Sequence, residues 1–362
     1  MTVNNVKNKY RLRSRSMLVR EAKEVARQWV FEEAGGLPSF YGAFFSGSIN
    51  WLPDGADFST TSDVDIGIIL AGSNPPDSPG KILYRDVILD VSYLQNRQFE
   101  SPDLILSDYH KAGAFRTPSV ILDPSGQLTQ FQMAVSKQYA KRHWVYRRCE
   151  HAKNHALRYA RSLTESTSFH DQVLAWIFAT GVTTHILLTA GLKNPTVRKR
   201  YLAVRELLEE YGRLEFYETI LEMLGCVGIS RARVEHHLAA LTAVFDAAKA
   251  VVKTPFSFTS DISDTARPIA IDGSRELIES GNHREALFWM VVTYARCQKV
   301  LYHDATVELQ KRFSPGFHEL LTDLGITSYD DLQQRTKRIE DFVPQVWRVA
   351  EAIMAANPAI ED

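Results

Sequence analysis

The sequence predicts an α+β fold: a small mixed sheet with helices over residues 1–128, followed by an all-α helical domain over residues 129–362. Three observations predict it. Between residues 38 and 125, short runs rich in β-branched and aromatic residues are flanked by Gly, Ser, Asn, Pro or Asp, the pattern of buried strands. From about Thr129 the strand signals stop, and apolar residues recur with helical period to the end of the chain. A length of 362 residues is ample for two cores.

In chain order, residues 1–14 are polar and basic (Lys7, Lys9, Arg11, Arg13) and are expected to fray. A helix is predicted from Ser16 to Glu33, with Leu18, Ala22, Val25, Ala26, Trp29 and Val30 as its apolar stripe and Gly35-Gly36 as its stop. Tyr41–Phe45 reads as a strand running into Gly47-Ser48. Ser62–Leu70 (Ser-Asp-Val-Asp-Ile-Gly-Ile-Ile-Leu) and Asp86–Leu94 read as two more, joined through a surface loop over 71–80. Residues 96–116 are irregular or weakly helical. Pro118–Leu128 reads as a strand, a type I turn at Asp123-Pro-Ser-Gly126 and a continuation, which makes Asp123 a turn residue. Helices are then expected over 130–165, 168–191, 195–212, 214–225, 230–251, 273–280, 283–310, 315–324, 328–336 and 338–356, with the clearest break at Lys253–Pro268.

The chemistry concentrates in the strand region. Strand side chains alternate faces, so Asp63 and Asp65 point one way and Val64 the other. Asp90 lies inside the apolar run Val87-Ile-Leu-Asp-Val, where a carboxylate is costly unless paired or metal-bound. If the two strands are neighbours, three carboxylates converge, and an oxygen-seeking cation such as Mg²⁺ is the simplest occupant. Gly47-Ser48 offers close backbone approach to phosphate oxygens and a hydroxyl donor. Taken singly, an Asp-x-Asp marks a strand end and a Gly-Ser an ordinary turn. It is the conjunction that is rare.

At these residues the chain resembles the nucleotidyltransferases of the polymerase-beta superfamily, above all the aminoglycoside (kanamycin/streptomycin-type) enzymes and their bacterial relatives. Their pattern is a Gly-Ser loop, a spacer, an Asp-x-Asp or Asp-x-Glu and a third acid on a following strand. Those roles fall here on Gly47, Ser48, Asp63, Asp65 and Asp90. The spacer is longer than usual: fourteen residues, Ile49–Ser62. The resemblance implies an enzyme that moves NMP from ATP or another nucleoside triphosphate onto a hydroxyl acceptor, with two Mg²⁺ ions. Asp63 and Asp65 would hold metal, Asp90 would hold the second metal or act as base, and Gly47 and Ser48 would contact nucleotide; Ser62 and Lys199 are expected from the sequence itself to contact it too. It also implies an acceptor bound between the two domains.

Other features of the helical part remain open. Lys193, Arg198, Lys199 and Arg200 are suited either to grip a triphosphate or to form a solvated helix start that Asn194 or Thr196 caps. Glu165 and Asp171 are unranked candidates for a general base. Arg296 and His303 stand seven residues apart, two helical turns, a spacing that resembles the motif of HEPN-type ribonucleases, although a structural role is the simpler reading. Phe288, Trp289, Tyr294 and Tyr302 read as helix core. Two alternative functions follow: a toxin–antitoxin-type nucleotidyltransferase with a HEPN-like partner domain, or a non-catalytic nucleotide-binding protein.

Composition narrows the classes further. With 42 basic and 43 acidic residues the net charge is −1, which argues against a general nucleic-acid footprint. Cys149, Cys226 and Cys297 are widely spaced and odd in number, as expected of reduced thiols in a cytoplasmic protein. No apolar run approaches the ~20 residues of a membrane span, and the basic N-terminus lacks the apolar stretch of a signal peptide. A homodimer is compatible with the sequence.

Overall fold

The computed structural model describes residues 17–72 and 75–362. The basic segment 1–14 and the start of the first predicted helix lie outside the described residues. That helix, α1, runs Val19–Trp29 and continues as one wider turn, Val30–Ala34. The strands are β1 (Phe40–Phe45), β2 (Val64–Leu70), β3 (Gly80–Tyr84), β4 (Val87–Gln95) and β5 (Val120–Leu122), in the order β3-β4-β2-β1-β5. β2 and β4 are parallel and every other pair is antiparallel, so the sheet is small and mixed.

Period-two alternation decides which residues face which layer. Val64, Ile66, Ile68, Leu89 and Val91 pack under α1 with Ala22, Ala26 and Trp29. Asp65, Gly67 and Ile69, and likewise Asp90 and Ser92, point to the opposite face. There a second cluster forms around Phe44, Phe99 and Phe115, fed by the short helix α2 (Pro102–Leu106) and by α3 (Gln127–Gln138), and it extends to Trp144 of α4 (Arg142–Arg161).

The remaining helices are α5 (Phe169–Ala190), α6 (Arg200–Glu210), α7 (Phe216–Leu224), α8 (Arg231–Val251), α9 (Gly273–Glu279), α10 (His283–Asp304), α11 (Val307–Asp323) and α12 (Tyr329–Ala356). α5 is the axis of this part, packed against α4, α10 and α12. By length and composition α5 could cross a membrane, contrary to the expectation from the sequence, but 83% of its apolar window is buried inside the protein. Cys149, Cys226 and Cys297 are free and buried.

The differences from the sequence expectations have local causes. Gly80–Tyr84 forms a strand of its own, turned into β4 through Arg85 and Asp86, both with positive φ (48° and 63°). No strand continues past the Asp123 turn. Asp123 accepts hydrogen bonds from the Thr129 backbone and hydroxyl, each at 2.8 Å, and α3 starts instead. The helix predicted over 130–165 breaks because Lys141 is extended (φ −62°, ψ 131°). α6 begins at Arg200 and not at 195, since Asn194 Oδ1 accepts from the Thr196 backbone in a turn. α10 stops at Asp304, and Thr306 caps α11, which runs through Pro315 where a start was expected. α12 is likewise one helix across 337, with Pro344 inside it. Each proline removes one backbone bond. The buried apolar faces flanking them (Phe317, Leu320 and Leu321; Phe342, Val343 and Val346) outweigh that loss.

Candidate metal and ligand cleft

The two faces meet at a cleft of about 620 Å³ between the sheet and the helical part. Its acidic pole is a row across three strands. Asp65 lies opposite Asp90 in the parallel β2–β4 register, and Asp90 lies opposite Lys81 in the antiparallel β3–β4 register. Asp63 precedes β2 on the same face. One carboxylate oxygen from each of Asp63, Asp65 and Asp90 lies within 4.8 Å of the others. The convergence expected from the sequence is therefore present.

Lys81 stands in the middle of this row. Its Nζ is 2.9 Å from Asp63 and 3.4 Å from Asp261, is hydrogen-bonded to Asp90, and its side chain is only 9% exposed. Burial alone would lower the ammonium, but Asp63, Asp90 and Asp261 together hold it well above the usual lysine range. Burial raises Asp65 well above the usual carboxylate range, and neighbouring Asp63 and Asp90 raise it further. Asp90 is raised by burial and opposed by Lys81. Three hard carboxylate donors converge around a spot where the protein already places one cation. That donor set fits Mg²⁺.

Gly47 and Ser48 line the cleft at the end of β1. Gly47 has φ +60°, and a Cβ there would meet the Asp65 carboxyl, 2.5 Å from its Cγ. Only glycine lets this loop pass so close to Asp65. Ser62 is half-buried in the preceding turn, where its N–H donates to Ser59 O, and it does not line the cleft.

The helical wall supplies arginine cations together with imidazoles that burial turns toward the neutral form. Arg198, Arg200, His185, His155 and Arg296 all line it. Of the basic run around 198, the structure brings Arg198 and Arg200 into the cleft. Lys199 is exposed outside it, and Lys193 pairs with Glu210 at 2.9 Å. Glu165 is exposed, and Asp171 is held by Lys299 (2.7 Å) and Ser168 (2.9 Å); neither lines the cleft. The carboxylate that the helical half does send in is Asp261, 2.8 Å from Arg296. Arg296 and His303 do not work together: Arg296 faces Asp261 in the cleft, while exposed His303 packs on Phe256. Phe288 and Tyr294 are core, as expected, and Tyr302 is exposed. Trp289 lies at the cleft with Arg198 and Arg200 over its ring.

Sequence reasoning did not find Lys81, Asp261, His155 or His185. The signal for Lys81 was its place in Lys81-Ile-Leu-Tyr, a short β-prone run ahead of a tight turn. No local signal marks the other three. No family model matches the chain, and no curated protein matches it.

Proposed function

We propose that the chain is a Mg²⁺-dependent nucleotidyltransferase that moves NMP, from ATP or another nucleoside triphosphate, to a hydroxyl acceptor. The observation that carries this reading is the approach of Asp63, Asp65 and Asp90 to within 4.8 Å, beside a glycine turn that no Cβ could enter. When bound, Mg²⁺ would supply charge neutralisation at the transferred phosphoryl group and alignment of the in-line attack. Asp63, Asp65 and Asp90 would hold it.

The chain's own groups divide the rest. The Gly47-Ser48 turn presents backbone N–H groups and a hydroxyl to phosphate oxygens. The acceptor oxygen forms its bond to the α-phosphorus as the bond to pyrophosphate breaks, and its proton passes to a carboxylate. Asp90, opposite Asp65 on the neighbouring strand, would either hold a second ion or take that proton. Lys81 neutralises Asp63 and Asp90 here, and a bound cation would take over that role. The HEPN alternative loses support because Arg296 is bound to Asp261.

The test is ATP binding by calorimetry and thermal shift, with and without Mg²⁺, on wild type and Asp63→Asn/Asp65→Asn. ATP at 100 times its Kd should stabilise the wild type by about 2.7 kcal/mol, with Mg²⁺ only. The double variant should show no such gain. Absence of triphosphate binding by the wild type rejects the reading.

A further inference from the structure

The helical wall of the cleft holds buried hydrogen-bond donors that lack partners. Arg200 is 7% exposed and His185 5% exposed, and both line the cavity. Arg200 Nη1 lies 2.8 Å from His185 Nε2. A guanidinium only donates, so Nε2 accepts, and the remaining proton sits on Nδ1 of a neutral imidazole. Burial, reinforced by the Arg200 charge, keeps His185 neutral. His185 Nδ1–H, Arg200 Nε–H and an Arg198 Nη2 amino group then all lack an acceptor. Neither Arg198 nor Arg200 has a carboxylate partner among the described residues, although both guanidinium carbons lie within 5.0 Å of the Trp289 ring centre.

Unpaired buried polar groups cost free energy and are uncommon in folded proteins. Here three belong to one wall, all are donors, and two are cationic. The complementary ligand group is rich in acceptors and negative, hence an oxyanion. Arg198 stands between this spot and the acid row and feels Asp63 and Asp261, whereas Arg200 is bonded to His185 and lies against the Phe288 and Trp289 rings. Arg200 and His185 come from α6 and α5, facing the sheet that carries Gly47-Ser48.

We infer that this wall binds a phosphate or carboxylate of the acceptor, so that the acceptor is a hydroxylated small molecule carrying its own negative charge. The identification of the ligand as acceptor rests on the nucleotidyltransferase reading; the anion site does not. A polycationic acceptor is the opposite of what Arg198, Arg200 and His185 would recognise. The one carboxylate of the helical half in the cleft, Asp261, is already shared by Arg296 and Lys81.

The experiment titrates inorganic phosphate into the full chain without Mg²⁺, followed by calorimetry, and repeats the titration with saturating Mg²⁺–ATP. The wild type and Asp63→Asn/Asp65→Asn should bind phosphate alike. Arg200→Gln should lose at least tenfold in affinity, and Arg200→Lys should recover part of it. If Arg200→Gln does not fold, His185→Phe takes its place with the same expected loss. Phosphate affinity within threefold in the presence and absence of Mg²⁺–ATP supports an acceptor subsite. Competition between the two assigns the wall to the donor's own phosphates and overturns the inference. Absence of phosphate binding by the wild type at millimolar concentration also overturns it, whatever ATP does. Phosphate binding without any triphosphate binding would keep the anion site and reject the enzyme reading.

Discussion

Replacing Gly47 with alanine separates backbone strain from damage to the acid cluster. Gly47 has φ +60° and Gly126, before α3, has φ +75°. An alanine pays about 1–2 kcal/mol for the left-handed region at either position. At Gly126 an added Cβ meets nothing within 4 Å, whereas at Gly47 it comes 2.5 Å from Asp65 Cγ and 3.1 Å from Asp65 Cβ. Asp65 must therefore swing away from Asp63 and Asp90. From that strain both variants should melt about 1–3 °C below wild type, given an unfolding entropy of roughly 2.1 cal/mol/K per residue over 362 residues. Gly126→Ala should bind Mg²⁺–ATP as the wild type does. Gly47→Ala should bind it at least tenfold more weakly, about 1.4 kcal/mol. Melting curves give the first quantity and calorimetry the second. Wild-type affinity in Gly47→Ala, or an equal loss in Gly126→Ala, would refute the argument that this glycine exists to make room for Asp65.

Two further outcomes follow from the charges. Lys81→Met leaves Asp63 and Asp90 without their ammonium, and breaking such a pair costs roughly 3 kcal/mol. That loss should appear in EDTA and shrink in Mg²⁺, because the metal replaces the missing cation; equal losses in both buffers would rule out a shared position. His170, buried and pushed down to about 4, contributes stability above its ordinary value near 6.5 that is lost as the pH falls toward 4. His170→Asn should flatten that acid limb by about 2–3 kcal/mol in pH-dependent melts. An unchanged difference between pH 7 and pH 4 would contradict it.

The acid row was legible because its signals are local. Alternation fixed the shared face of Asp63 and Asp65, and the apolar neighbours of Asp90 marked a carboxylate that needs a partner. Only the pairing of β2 with β4 had to be assumed, and the register places Asp65 opposite Asp90. β3 escaped because its turn uses Arg85 and Asp86 at positive φ, where Asn-Gly is the usual sign. With β3 went Lys81. Asp261 escaped for another reason: it stands in the irregular stretch 253–268, and only tertiary packing brings it 3.4 Å from Lys81. The interior prolines misplaced helix ends because a sequence shows the lost backbone bond but not the buried face that outweighs it.

Lys199 shows how far charge patterning reaches. Arg198, Lys199 and Arg200 are equivalent cations in the sequence, and nothing local says which turn inward. Where α6 begins decides it, placing the flanking arginines on Trp289 and Lys199 in solvent. The net charge of −1 hides a cleft with two poles. Its carboxylates come mainly from 63 to 90, and its unpaired cations come from the entry to α6. A ligand able to bridge such poles needs a cation at one end and an oxyanion at the other. On the nucleotidyltransferase proposal, that combination would be a Mg²⁺-bound triphosphate facing an anionic acceptor.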